Sequence, residues 1–186
     1  MKRILFAIFG VLSAAGAAEA QMTDAQLVER ALLAAPARAR ETTAVVKWNA
    51  NHTYTQIKEG AGTLVCYDHS GAAGEQPFAI QCTHPGNLPR VQQNYQLEAQ
   101  AAGDRERVNA LLAAAEQNGT RVMPVYGSPW ISMTGPDQAG ARTHMTIATP
   151  NATTASTGGL PENSREGGAW IMGAGTSTAH IMIPGM

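Results

Sequence analysis

The sequence has no excess of positive charge and, after its first twenty residues, no long hydrophobic run. Its 13 lysines and arginines are balanced by 14 aspartates and glutamates. Proteins that bind nucleic acid need clustered basic side chains to neutralise phosphates, so this balance excludes a nucleic-acid partner. A membrane-spanning helix needs roughly 20 consecutive apolar residues, and we therefore expect no membrane span in the mature chain.

The chain is also poor in aromatic residues and rich in glycine, with 5% aromatics and 19 glycines among 186 residues. Such a composition favours strands joined by turns over a helical bundle. The ~166 residues after the N-terminal segment are enough for one domain with a hydrophobic core.

The N-terminal segment, MKRILFAIFGVLSAAGAAEA, has the order of a secretory signal peptide. Two basic residues open it, an apolar stretch follows, and it ends in the small-residue pattern Ala-Glu-Ala. We therefore predict a signal peptide over residues 1–20 with cleavage before Gln21, and one exported domain over residues 21–186. The predicted location is the periplasm or the exterior of a bacterial cell.

Cysteine is scarce, since only Cys66 and Cys82 occur. In an oxidising compartment an isolated pair forms a disulfide, and closing this loop stabilises the fold by about 3 kcal/mol in the chain-entropy model. His69 and His84 each lie close to one of the cysteines, which leaves open a second interpretation with four zinc ligands. We favour the disulfide because structural zinc sites usually have more closely spaced cysteines.

Hydrophobic periodicity predicts an α+β fold that begins with a helix. Apolar residues recur at helical spacing over residues 23–35, and Pro36 ends the pattern. Residues 88–119 are charged and nearly free of strand formers, which predicts a helical middle segment divided at Gly103-Asp104. The apolar stripe on the second half of this segment is expected to pack on the sheet.

The remaining segments predict an antiparallel sheet of five or more strands, packed with the N-terminal helix and the helical middle segment. The first two candidate strands, joined by NANH, are expected to form a hairpin that the third extends. The candidate strands in chain order are ETTAVVKW, YTQIKEG, GTLVCYD, FAIQC, RVMPVY, WISM, THMTIA, AWIMG and AHIMI.

Two segments near the C-terminus resemble each other. SPWISMTGPDQAGARTHMTIATP and GAWIMGAGTSTAHIMIPGM each run from a Trp-Ile pair through glycines to a histidine. We interpret them as equivalent hairpins, with Trp130 and Trp170 on matching strands and His144 and His180 starting the returning strands. Imidazole and thioether groups bind copper, so His144, His180 and Met182 are candidate metal ligands. The alternative is that these side chains occupy matching places in a core.

Signals for catalysis are weak. The sequence has no G-x-S-x-G nucleophile elbow, no phosphate-binding loop with its lysine, and no carboxylate pair brought together by pattern. A relay of Ser177 and His180, with Asp68 or Glu166 as the acid, is the remaining hydrolase arrangement. We therefore predict no catalytic residues and no cofactor.

A family resemblance extends over most of the mature chain but rests on three short segments: ALLAAPARARETTAVVKW, GTLVCYD with its later cysteine, and WIMGAGTSTAHIMIP. They resemble a family of small uncharacterised bacterial exported proteins with an ALxAAP helix, a GxxGWTC segment and a closing PWIMxAGTPxAHLMVP. In this chain Leu64-Val65-Cys66 replaces Trp-Thr-Cys, and Ser177-Thr178 replaces a proline-containing turn. The resemblance implies export and a common plan, but no activity.

The sequence therefore predicts an exported protein that acts as a non-catalytic binding or structural module. Its partner is unknown, and a small molecule or a metal ion is the candidate ligand. The alternative function is a copper-binding protein or a small hydrolase centred on His144 and His180.

Overall fold

The computed structural model describes residues 22–72 and 74–183, so the predicted signal peptide lies outside the described residues. Within these ranges the chain has α+β structure, with one eight-stranded sheet and three α-helices. The helices are α1 (Asp24–Ala31), α2 (Leu88–Ala101) and α3 (Arg105–Gln117). The strands are β1 (Ala44–Trp48), β2 (Tyr54–Lys58), β3 (Val65–Asp68), β4 (Phe78–Thr83), β5 (Pro129–Gly135), β6 (Arg142–Ala148), β7 (Trp170–Met172) and β8 (His180–Met182).

The sheet has the strand order β2-β1-β3-β4-β5-β6-β8-β7. All neighbours are antiparallel except β1 and β3, which pair in parallel, so the expectation of a purely antiparallel sheet was wrong at this pair. After β2, the chain crosses back to the start of β1, where Gly62 N donates to Thr42 O over 2.8 Å. Gly60 passes so close to this backbone that a Cβ atom would overlap Thr42 and Ala44. The return places β3 beside β1 rather than beside β2.

One face of the sheet packs against α1. The helix begins in a capping box, in which Thr23 Oγ1 accepts from Gln26 N and Gln26 Oε1 accepts from Thr23 N. Cys66 and Cys82 lie directly opposite each other on β3 and β4 of this face, with Cα atoms 4.0 Å apart and sulfur atoms at disulfide distance. The predicted pairing is present, and the sulfur atoms are not free to bind zinc.

The other face packs against α2. Its core consists of Val46, Val65, Tyr67, Leu88 and Val91. The helix α3 packs on α2 and not on the sheet, so the expectation that its apolar stripe would pack on the sheet was wrong. The sheet face is already occupied by α2, which comes first in the chain.

The two related C-terminal segments form two antiparallel hairpins, β5–β6 and β7–β8, as the sequence predicts. Their inner strands β6 and β8 pair with each other. The register brings Trp130, Thr146, Met182 and Trp170 into one row across four strands. The hairpins are therefore related by a local two-fold axis between Thr146 and Met182.

The segment RVMPVY, residues 121–126, is a loop rather than the expected strand. Hydrogen bonds to α2 and to the turn before it take up its polar groups, since Val122 N donates to Gln93 Oε1 over 2.9 Å and Val125 N donates to Asn87 Oδ1 over 2.7 Å. This loop closes one side of the site described next. Among the described helices, none has the length and apolar character needed to cross a membrane.

Candidate functional site

The structure does not bring the three predicted metal ligands together. Met182 lies opposite Thr146, while His144 and His180 lie on opposite sides of this pair. His180 is opposite Ala148, four residues from His144 along β6, which is about 13 Å at the rise of a strand. The local two-fold axis thus explains both the resemblance of the segments and the separation of their histidines. Residues 22–72 and 74–183 contain no group of three or more His, Cys, Asp or Glu side chains placed to hold a metal.

The hydrolase relay is also not formed, because Ser177 has other partners. Its hydroxyl donates to Glu116 Oε1 and accepts from Arg90 Nη1 and Nη2 at 3.3 and 3.4 Å. His180 Nδ1 lies 2.7 Å from Thr178 O. Asp68 is 2.8 Å from Arg30 Nε, in an ion pair on β3. Ser177 is therefore a buried structural hydroxyl in this arrangement.

A cleft of about 290 Å³ lies on the α2 face of the sheet, beside the same two hairpins. We call it the arginine cleft, because two guanidinium groups line it. The sheet provides Gln81, Trp130, Thr146, Ala148 and His180, the turn before β8 adds Thr178 and Ala179, α2 provides Arg90 and Asn94, and the loop provides Arg121 and Pro124. Its floor is thus built from one face of β4, β5, β6 and β8.

Arg90 is held in the cleft wall by neutral partners. The side chain is only 5% exposed. Its Nη1 donates to the backbone oxygen of Val122 and, with Nη2, to the Ser177 hydroxyl. Burial, and then the positive charge of Arg121, lowers the pKa of Arg90 to about 10. The group is still a cation at neutral pH.

Arg121 is the second buried cation and is 8% exposed. Its Nη1 donates to Gln93 Oε1 and its Nη2 to Asn94 Oδ1, both over 2.6 Å. In the described part of the chain, its buried Nε has no hydrogen-bond partner. Burial lowers the pKa of Arg121 as well.

Among the described residues, no carboxylate is bound directly to either guanidinium group. Within residues 22–72 and 74–183, the side chains within ion-pair distance of a carboxylate are those of Arg30, Lys47 and His69. Glu116 is the one acid whose charge acts on both Arg90 and Arg121, and its carboxylate is bound to Ser177 instead. Buried charges are normally paired because desolvating an unpaired ion is costly. In the described part of the chain, the positive charge of the arginine cleft is therefore compensated only in part, by Glu116.

Comparisons of the chain with models of known protein families, with curated proteins and with solved structures found no match. The geometry of the site is consequently the basis for assigning a function.

Sequence reasoning identified one residue of the cleft, His180, but missed both arginines. Arg90 stands in a charged helix and Arg121 in a segment expected to be a strand, so neither carried a local motif. The available signal was Arg121 itself, since a charged residue at the start of an apolar run such as RVMPVY needs a polar partner if the run is buried.

Proposed function

We propose that this protein is an exported, non-catalytic binding module whose ligand is a small anion held in the arginine cleft. One observation carries the proposal: two guanidinium groups, each more than nine-tenths buried, line one cleft without an ion pair between described residues. An anion in the cleft would compensate the charge that Glu116 compensates only in part.

The chemistry of the lining favours a carboxylate or a phosphate group. Guanidinium groups bind both in a planar, two-pronged geometry. The buried Nε of Arg121 has no hydrogen-bond partner among the described residues, so it is a donor that such a group would satisfy. Trp130 adds an apolar surface, so a ligand with an apolar or aromatic body beside its anionic group fits the lining.

Export is supported by the N-terminal sequence and by the Cys66–Cys82 pair. A disulfide persists in an oxidising compartment and is rare in the cytosol. The resemblance to small bacterial exported proteins supports the same location. N-terminal sequencing of protein from the periplasm or the medium tests this part of the proposal, and a mature chain that starts at Met1 contradicts it.

Thermal melting in the presence of anions tests the binding function. A ligand that binds only the folded state raises the melting temperature. At a ligand concentration of a hundred times its Kd, the gain in unfolding free energy is about 2.7 kcal/mol. We expect inorganic phosphate, benzoate or both to raise the melting temperature above that in chloride at equal ionic strength. A response to phosphate alone or to benzoate alone distinguishes the two ligand chemistries.

Two variants make the test specific. Arg121→Gln removes one charge of the cleft and should lose most of the anion-induced rise in melting temperature. Arg121→Lys keeps the charge but lacks the planar pair of guanidinium donors, and it should lose less of this rise. Arg38→Gln, at an exposed position in the short helical turn Ala37–Ala39, is the matched control and should respond as the unmodified protein does. The proposal fails if neither anion exceeds chloride, or if Arg121→Gln and Arg38→Gln respond alike.

A further inference from the structure

A second cleft, of about 540 Å³, lies at the other end of α2. Its lining includes aromatic side chains and carboxylates, and we call it the aromatic cleft. Trp48 on β1 and Tyr95 on α2 form one wall, with ring centroids 5.0 Å apart in an edge-to-face pair. His52, in the turn between β1 and β2, stacks on Tyr95 at 6.4 Å and extends this wall. The ring faces offer a surface of negative partial charge, which attracts cations.

The carboxylates beside this wall make the cleft negative. Burial, and then the charge of Glu75, raises the pKa of Glu98, which shows that the Glu98 carboxylate is in an unfavourable place when ionised. Burial and the charges of Glu75, Glu98 and Asp68 also raise the pKa of Tyr95. Two of these acids are already paired, Asp68 with Arg30 and Glu75 with His69, and Arg105 also acts on Glu75.

Glu98 is the acid without such a partner. It takes part in no ion pair formed between described residues. His69 acts on it only at longer range, since the imidazole is held by Glu75. A cation that entered the cleft would therefore relieve the repulsion between Glu98 and Glu75.

His69 supplies an independent sign of a missing ligand. The imidazole lines the cleft, and its side chain is 9% exposed. Nδ1 lies 3.4 Å from Glu75 Oε1, so Nδ1 carries a proton, and in the neutral form of the ring Nε2 is then an acceptor. This Nε2 is buried and finds no hydrogen-bond partner within the described part of the chain. Buried acceptors are normally satisfied, so the site is short of a donor.

We infer that the aromatic cleft binds a small organic cation with an N–H group. The ammonium group donates to the Glu98 carboxylate and to His69 Nε2, and the carbon part lies against Trp48 and Tyr95. An organic ammonium ion meets all three features of the cleft, which are the aromatic wall, the unpaired carboxylate and the unsatisfied acceptor. A metal ion meets the carboxylate but makes no use of the wall, and no metal-binding group of three acids, histidines or cysteines exists among the described residues.

Titration with benzylammonium, followed by amide and indole NMR signals, tests the inference. We expect shifts at the Trp48 indole and at the amides of Tyr95 and Glu98, with the arginine cleft unaffected. Benzyl alcohol has the same ring without the charge and should bind at least about ten-fold more weakly, because a charge-assisted hydrogen bond is lost. Lowering the pH through the raised pKa of Glu98 should weaken the binding of benzylammonium, since protonation removes the negative charge.

The variant Glu98→Gln should bind benzylammonium about ten-fold more weakly or worse, for the same reason. Glu29→Gln, at an exposed position of α1, is the control and should leave binding unchanged. Circular dichroism of Glu98→Gln should show an intact fold, because the substitution removes a repelled charge. Equal binding of benzyl alcohol, equal affinity in Glu98→Gln, or shifts confined to other parts of the protein would each overturn the inference. None of these results bears on the arginine cleft, so the two sites fail or succeed separately.

Discussion

The arginine cleft and the aromatic cleft lie on the same face of one sheet and share one helix, but they carry opposite charge. The N-terminal half of α2 lines the first through Arg90 and Asn94, and the C-terminal half lines the second through Tyr95 and Glu98. In the first, burial lowers the pKa of cations, and in the second it raises the pKa of an acid. Both shifts have the same largest cause, namely the partial removal of a charged group from water.

The difference between the clefts lies in how each charge is held. Arg90 and Arg121 are fixed by hydrogen bonds to neutral oxygens, so the arginine cleft is preorganised. Glu98 takes part in no ion pair among the described residues, and the charge of Glu75 repels it. We therefore expect ligand binding in the aromatic cleft to respond more to pH than binding in the arginine cleft.

The largest expected effect is a loss of stability on removal of the disulfide, which lies on the opposite face of the sheet from both clefts. The double variant Cys66→Ala/Cys82→Ala should lose about 3 kcal/mol of unfolding free energy in urea, because the unfolded chain is no longer cross-linked. Both cysteines lie on the face that packs against α1. The folded variant should thus still bind anions and benzylammonium. An undiminished stability, or loss of either binding activity in the folded variant, contradicts this separation.

The next effect comes from substitution of Asn87 and should distinguish the two clefts from each other. Asn87 directly precedes α2 and is fully buried. Its Nδ2 donates to Thr83 Oγ1 and Ser128 Oγ, and its Oδ1 accepts from Val125 N. Asn87→Ala leaves these partners unsatisfied and should cost about 2–3 kcal/mol in urea denaturation. The loop it anchors walls only the arginine cleft.

Anion binding should therefore weaken in Asn87→Ala while benzylammonium binding is retained. Asn109→Ala, at an exposed position of α3, is the control and should change stability by about 0.5 kcal/mol or less. If Asn87→Ala weakens both ligands equally, the two clefts are not independent.

The smallest effect is the dependence of stability on pH in the aromatic cleft. A raised pKa of Glu98 means that the folded state loses stability as this group ionises. Glu98→Gln should therefore be more stable than the unmodified protein at pH 7, by about 0.5 kcal/mol or less because the group is half-exposed and screened. The gain should vanish in acid, where the carboxyl group is neutral in both the folded and the unfolded state.

Glu75 provides a comparison of opposite sign. Its hydrogen bond with His69 lowers the pKa of Glu75. Glu75→Gln should accordingly reduce stability at pH 7 and not in acid, as measured by urea denaturation at both pH values. Changes of the same sign in Glu98→Gln and Glu75→Gln would refute the assigned charge distribution.

Local pattern was sufficient to predict parts of this molecule. The helix capped by Thr23, the break between α2 and α3 at Asp104, and the pairing of Cys66 with Cys82 each follow from residues near one another or from the scarcity of a residue type. The repeat of Trp130 and Trp170 likewise predicted two equivalent hairpins.

Features that depend on distant parts of the chain were missed. The order of strands around β1 depends on where the segment after β2 crosses, which no periodicity records. The arginine cleft joins Arg90 to Arg121, and they meet because a loop that the sequence presented as a strand is bound by Gln93. His144 and His180 share a motif, but the symmetry of their hairpins places them apart.

The most direct test of the central claim is the NMR signal of the arginine Nε–H groups during titration with an anion. Arg121 Nε lacks a partner among the described residues, so its proton should be the one that gains a hydrogen bond. With phosphate or benzoate, we predict a downfield shift and slower exchange of the Arg121 Nε–H signal, while the exposed Arg38 is unchanged. Two results would contradict an anion site in the arginine cleft. One is an Arg121 Nε–H signal that stays in place while signals from other parts of the protein show that the anion binds there, and the other is an Arg121 shift no larger than the shift of the Arg38 signal.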